Sequence, residues 1–146
     1  MLQNLVLAFP FMAAASVAGA QHSVVASPDA PRAIGPYVQA VAVGDTLYLS
    51  GQLPLDPKSG ELVGDDIRVQ TERVLLNLRA VLAAHGMSLD DAVMANVFLT
   101  QLSDFPSMNE VYAGFFTSPP ARATVEVKGL AKGARIEISL IAVRRR

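Results

Sequence analysis

The chain has 146 residues, 51% of them hydrophobic, with 12 Lys and Arg against 13 Asp and Glu and no cysteine, which suits one compact domain able to build its own core. Disulfide frameworks and thiolate metal sites are thereby excluded. A formal net charge of -1 offers no footprint for nucleic acid, and the one dense basic cluster, Arg144, Arg145 and Arg146, reads as a solvated tail.

Residues 5–20 are apolar and rich in small side chains, ending in Ala18-Gly19-Ala20, and no charged side chain precedes Asp29. That is the layout of a secretory signal peptide cut after Ala20, although no Lys or Arg stands ahead of the apolar run. Pro10 and Ser16 interrupt it too early for a membrane span. Residues 1–20 are therefore read as a signal, residues 21–35, with Pro28 and Pro31, as an extended lead-in, and residues 36–146 as the folded domain. The expected location is periplasmic or secreted if the signal is cut, with no membrane anchor left, and cytoplasmic otherwise.

Residues 37–43 and 46–49 flank Gly44-Asp45, a hairpin signal, with the second strand ending at Ser50-Gly51. Pro54, Asp56-Pro57 and Ser59-Gly60 mark a loop. Ile67, Val74, Leu75, Leu78, Val81 and Leu82 fall at helical spacing between an acidic cap, Asp65 or Asp66, and a Gly86 stop. Ser88 and Asp91 could cap one further turn before a buried strand over 93–99. Asp104 is the expected cap of a second helix, with Pro106 in its first turn and Met108, Val111, Tyr112 and Phe115 as its apolar stripe. Residues 121–128 alternate, Arg122, Thr124 and Glu126 on one face and Ala123, Val125 and Val127 on the other, and a last strand covers 135–144. The order β-β-α-β-α-β-β predicts an α+β fold with the helices on one face of a mixed sheet. The sheet's other face is expected to meet another subunit.

His22 and His85 are the two histidines, and no H-E-x-x-H, P-loop or G-x-G-x-x-G pattern occurs. Ser50 lies in S-G-Q rather than a nucleophile elbow. Arg122 follows Pro119-Pro120-Ala121 at the start of a strand. Its planar fork suits either bidentate capture of a carboxylate or an ordinary strand-edge salt bridge. Glu137, among Ile136, Ile138, Leu140 and Ile141, either faces solvent on an alternating strand or sits in a pocket where it could hold a water.

Ala33-Ile34-Gly35-Pro36-Tyr37, Leu49-Ser50-Gly51-Gln52, Met108-Asn109-Glu110-Val111-Tyr112, residues 120–127 (PARATVEV) and Ile136-Glu137-Ile138, in that order, resemble the RidA (YjgF) family over nearly all of residues 21–146. The resemblance implies a chorismate-mutase-like α+β fold with a six-stranded mixed sheet and two main helices on one face. It also implies a homotrimer with a ligand site at each subunit interface. The implied activity is deamination of reactive 2-imino acids, such as 2-iminobutanoate and 2-iminopropanoate, to 2-oxo acids and ammonia without a cofactor. By the same resemblance Arg122 binds the substrate carboxylate and Glu137 positions the attacking water. Tyr37, Ser50, Gly51 and Asn109 line the pocket, and the backbone at Ala123 and Thr124 touches the ligand. Thr124 stands where close relatives often carry Cys, the link over 117–120 is short, and an export signal is unusual for the family. Two alternatives stay open: a non-catalytic trimer binding small metabolites or unfolded chains, and a hydrolase of another carboxylate-bearing imine.

Overall fold

The computed structural model describes residues 21–145, so the signal reading of residues 1–20 lies outside the described residues. Six strands, β1 (His22–Val25), β2 (Ala40–Val43), β3 (Thr46–Gln52), β4 (Ala92–Leu99), β5 (Ala121–Glu126) and β6 (Ile136–Val143), form one sheet in the order β1-β2-β3-β6-β4-β5. Only the β4–β5 pair is parallel. Two helices, α1 (Ile67–Ala83) and α2 (Phe105–Ala113), complete the expected α+β architecture.

β1 corrects the reading of residues 21–35 as a lead-in without a strand. It pairs with β2 over His22↔Val43 to Val25↔Ala40. Three of its four residues are exposed, so it carries no hydrophobic alternation to betray it. The segment that follows is pinned by buried Gln39, whose Oε1 accepts from the Ser27 amide at 2.6 Å and whose Nε2 donates to Pro31 O at 2.8 Å.

The Gly44-Asp45 hairpin forms as expected, with Val43 opposite Thr46 and Gly44 at a φ of 57°, the left-handed value such turns demand. β2 starts at Ala40 rather than Tyr37, and β3 runs on through Ser50-Gly51 to Gln52. A register shift between Leu49 and Gln52 makes Ser50-Gly51 a bulge.

Asp66 caps α1, accepting from the amides of Arg68 and Val69 at 2.8 and 3.1 Å. The expected apolar positions of α1 are all buried. Ser88 and Asp91 form the expected capping box around a single 3-10 turn, Leu89–Asp91. Asp104 precedes α2 but does not cap it. Its carboxylate instead takes a two-pronged bond from Arg135, Nη2 to Oδ1 at 2.7 Å and Nε to Oδ2 at 3.1 Å.

Arg144 and Arg145 also depart from the solvated-tail reading. Arg144 donates to His85 O at 2.8 Å, just past the end of α1, and Arg145 donates to Asp90 O. The core lies between helices and sheet, where Leu47, Leu49, Val97, Leu99, Ile136, Ile138 and Leu140 point inward and are buried. On the other face Val24, Tyr48 and Val125 are 61%, 49% and 47% exposed, so among the described residues nothing covers that apolar surface.

Candidate functional site

Arg122 is the second residue of the edge strand β5, and Pro119-Pro120 fixes where that strand begins. Its register partner is Ala95, a fully buried residue, which turns the Arg122 side chain to the helix-covered face and under α2. There Nη2 donates to Asn109 Oδ1 at 2.7 Å, and the guanidinium carbon lies 4.6 Å from the Tyr112 ring centroid and 5.5 Å from that of Phe105. Asn109 and Tyr112 are three residues apart, hence neighbours on one helix face. No carboxylate pairs with Arg122 among the described residues.

A cation held by an amide oxygen and two aromatic faces is oriented without a counter-charge beside it among the described residues. It opens onto a cavity of about 420 Å³ whose other walls are Ala113, Phe116, Pro119 and Pro120. Thr124, two residues along the same face, buries its hydroxyl oxygen with no hydrogen-bond partner among the described residues. Burial raises the Tyr112 hydroxyl pKa, with the nearby Arg122 charge opposing it. The sequence reading assigned neither Tyr112 nor Phe105 to the site. Phe105 carries no signal there, whereas Tyr112, read as part of an apolar stripe, stands three residues from Asn109, a spacing that puts the two on one helix face.

A second cavity, of about 370 Å³, brings together Tyr37, Ser50, Gly51 and Glu137 with Ile34, Leu53 and Ala131. The β3 bulge puts Gly51 directly beneath the Glu137 side chain. A Cβ at Gly51 would overlap the carboxylate and lie 2.7 Å from Glu137 Cδ. Burial raises the Glu137 pKa from its ordinary value. Ser50 Oγ is committed to the backbone, donating to Val38 O at 2.6 Å. Tyr37 precedes β2 rather than belonging to it and is 47% exposed, its hydroxyl accepting from the Ile34 amide at 3.3 Å. It is thus a wall of the cavity and not a core aromatic.

The eight sequence-predicted residues therefore fall into separate groups. Arg122, Asn109 and Thr124 lie on the helix side, and Tyr37, Ser50, Gly51 and Glu137 around the other cavity. Glu137 sits opposite Phe98, between buried Ile136 and Ile138, so it projects from the uncovered face. Ala123, one residue from Arg122, also lies on that face and is exposed. Arg122 and Glu137 of one chain consequently project from opposite faces of the sheet, with β4 between their strands.

The family model described as "Endoribonuclease L-PSP" matches residues 27–144. The chain is 52% identical over 120 residues to a RutC family protein of Saccharolobus solfataricus, covering 82% of this chain and 95% of that one. It is 45% identical over 121 residues to a protein of Dermatophagoides farinae named 2-iminobutanoate/2-iminopropanoate deaminase, covering 82% and 94%. Among solved structures, TdcF of E. coli with bound serine superimposes with a TM-score of 0.81 at 39% identity, covering 84% of this chain and 99% of that one.

Proposed function

The chain belongs to the YjgF/RidA/RutC family, and from that premise we propose that it hydrolyses reactive 2-imino acids to 2-oxo acids and ammonia. The observation that carries this reading is the Arg122 guanidinium, oriented by Asn109 and Tyr112 and left without an acidic partner among the described residues. A cation so prepared suits a ligand carboxylate. The serine bound to TdcF, which carries an α-carboxylate, supports the same ligand class.

Water adds to C2 of the imine, its proton passes to nitrogen, and the resulting carbinolamine expels ammonia as the carbonyl forms. Glu137 takes the proton from the attacking water and returns one to the leaving nitrogen. A carboxylate whose pKa is raised by burial is a better base than an exposed one. Because the two side chains leave opposite faces of one sheet, the reading requires Arg122 of one copy to meet Glu137 of another, in a homotrimer closed through the uncovered face. Residues 1–20 are proposed to direct export, and a cut after Ala20 would leave β1 intact.

The test is 2-oxo acid release from 2-iminobutanoate generated in situ by the purified protein beside Arg122→Ala. Removing one partner of a charge-assisted ligand contact costs on the order of 2–5 kcal/mol, so kcat/KM should fall by roughly 30-fold to several thousand-fold. A loss under about threefold would remove Arg122 from the site. Ligand binding without turnover by the folded protein would instead favour the metabolite-binding alternative.

A further inference from the structure

The wall of the Arg122 cavity formed by Pro119 and Pro120 belongs to a four-residue link, 117–120, between the segment after α2 and the start of β5. Prolines have no amide hydrogen, so the link owns two backbone donors, those of Thr117 and Ser118. Both go to one acceptor: Asp90 Oδ1, at 2.8 and 3.0 Å. Asp90 comes from the Leu89–Asp91 turn, which is itself locked by the Ser88 amide donating to Asp91 Oδ2 at 2.7 Å. The carbonyl of Asp90 accepts from Arg145, whose Nε lies 3.8 Å from Asp91 Oδ1. At its far end the link is held by the pairing of Ala121 with Met94.

The short link is thus tied at both ends and stiffened by two fixed φ angles. We propose that Asp90, supported by Arg145, is a positioning residue that holds the 117–120 link as a rigid wall of the Arg122 cavity and so limits the size of the substituent a carboxylate ligand can carry there. The proposal rests on the reading of Arg122 as the carboxylate anchor and adds a determinant of ligand size. Asp90 touches no ligand and acts only through the link.

The experiment compares the full chain with Asp90→Ala, Asp90→Asn and Arg122→Ala. Amide exchange at Thr117 and Ser118 reads the tether. Titration with 2-oxobutanoate and with the bulkier 2-oxo-3-phenylpropanoate reads the wall. Asp90→Ala is expected to lose protection at both amides and to shrink the preference for the smaller acid at least fivefold. Asp90→Asn is expected to restore most of both, because its amide oxygen can accept the same two bonds. An unchanged preference in folded Asp90→Ala, with or without lost protection, overturns the proposal. If the parent binds neither acid, or Arg122→Ala binds them equally well, the carboxylate reading of Arg122 itself falls and takes the proposal with it. Binding by the parent therefore separates the two failures.

Discussion

Gly51 owes its place to what lies above it. Any Cβ there would occupy the position of the Glu137 carboxyl, which is the far end of a flexible side chain and can swing away. Gly51→Ala should therefore leave thermal unfolding within a few degrees while cutting imine hydrolysis by about tenfold or more, since general base help is worth about 10²–10⁴-fold. Equal loss of both would mark Gly51 as structural only. Glu137 also carries a pH signature. Its folded-state pKa is raised by burial, so the native protein holds this proton more tightly than the unfolded chain. Its contribution to stability is full below the unfolded value, about pH 4, and is lost as the pH rises through the folded value. Glu137→Gln should flatten that decline in melting temperature with pH, and a parallel decline in both proteins would assign it to other groups. The two readings of Glu137 left open by strand alternation could not be separated in the sequence, because the bulge that lets the pocket form depends on β3 pairing with β6. Arg122 was legible as a candidate anchor from its place at the start of a strand, but its cradle was not, since aromatic faces on a helix look the same whether they pack a core or face a cation.

Helices were the most legible elements and local caps the least secure. Asp66 follows the local rule, and Asp66→Ala should cost about 1 kcal/mol in chemical denaturation. Asp104 breaks the rule because a partner 31 residues away takes its carboxylate. Asp104→Ala should accordingly cost more, about 1.5–3 kcal/mol, as it removes a charged bond and strands Arg135. A cost no larger than that of Asp66→Ala would mean that the Arg135 pair adds nothing. The same limit explains the other departures. Four-residue β1 has no period to read, and Gln39 fastens the segment behind it through contacts made only after folding. The basic tail looked free because the carbonyls that receive Arg144 and Arg145 lie more than fifty residues back.

At the scale of the molecule, the sheet covers one face with its helices and leaves Tyr48 and Val125 on the other. An apolar face of this kind costs least when a neighbour covers it. In light scattering the protein should behave as a trimer, and Tyr48→Glu should shift it toward monomer and abolish hydrolysis while keeping its circular dichroism. A monomeric parent with full activity would contradict the shared site. That the other face carries exposed apolar side chains was legible in the number of apolar strand residues, whereas the division of the candidate residues between faces needed the register.

That division has a genetic consequence. If Arg122 and Glu137 of one chain serve different sites, two inactive proteins can rescue one another. Unfolded and refolded together in equal amounts, Arg122→Ala and Glu137→Gln chains would assemble with about one quarter of their sites carrying both intact side chains, because the two contributions come from adjacent copies in a closed ring. Such a mixture should recover about a quarter of the parent's turnover from components that have almost none, and a heterozygous cell carrying both alleles would not be null.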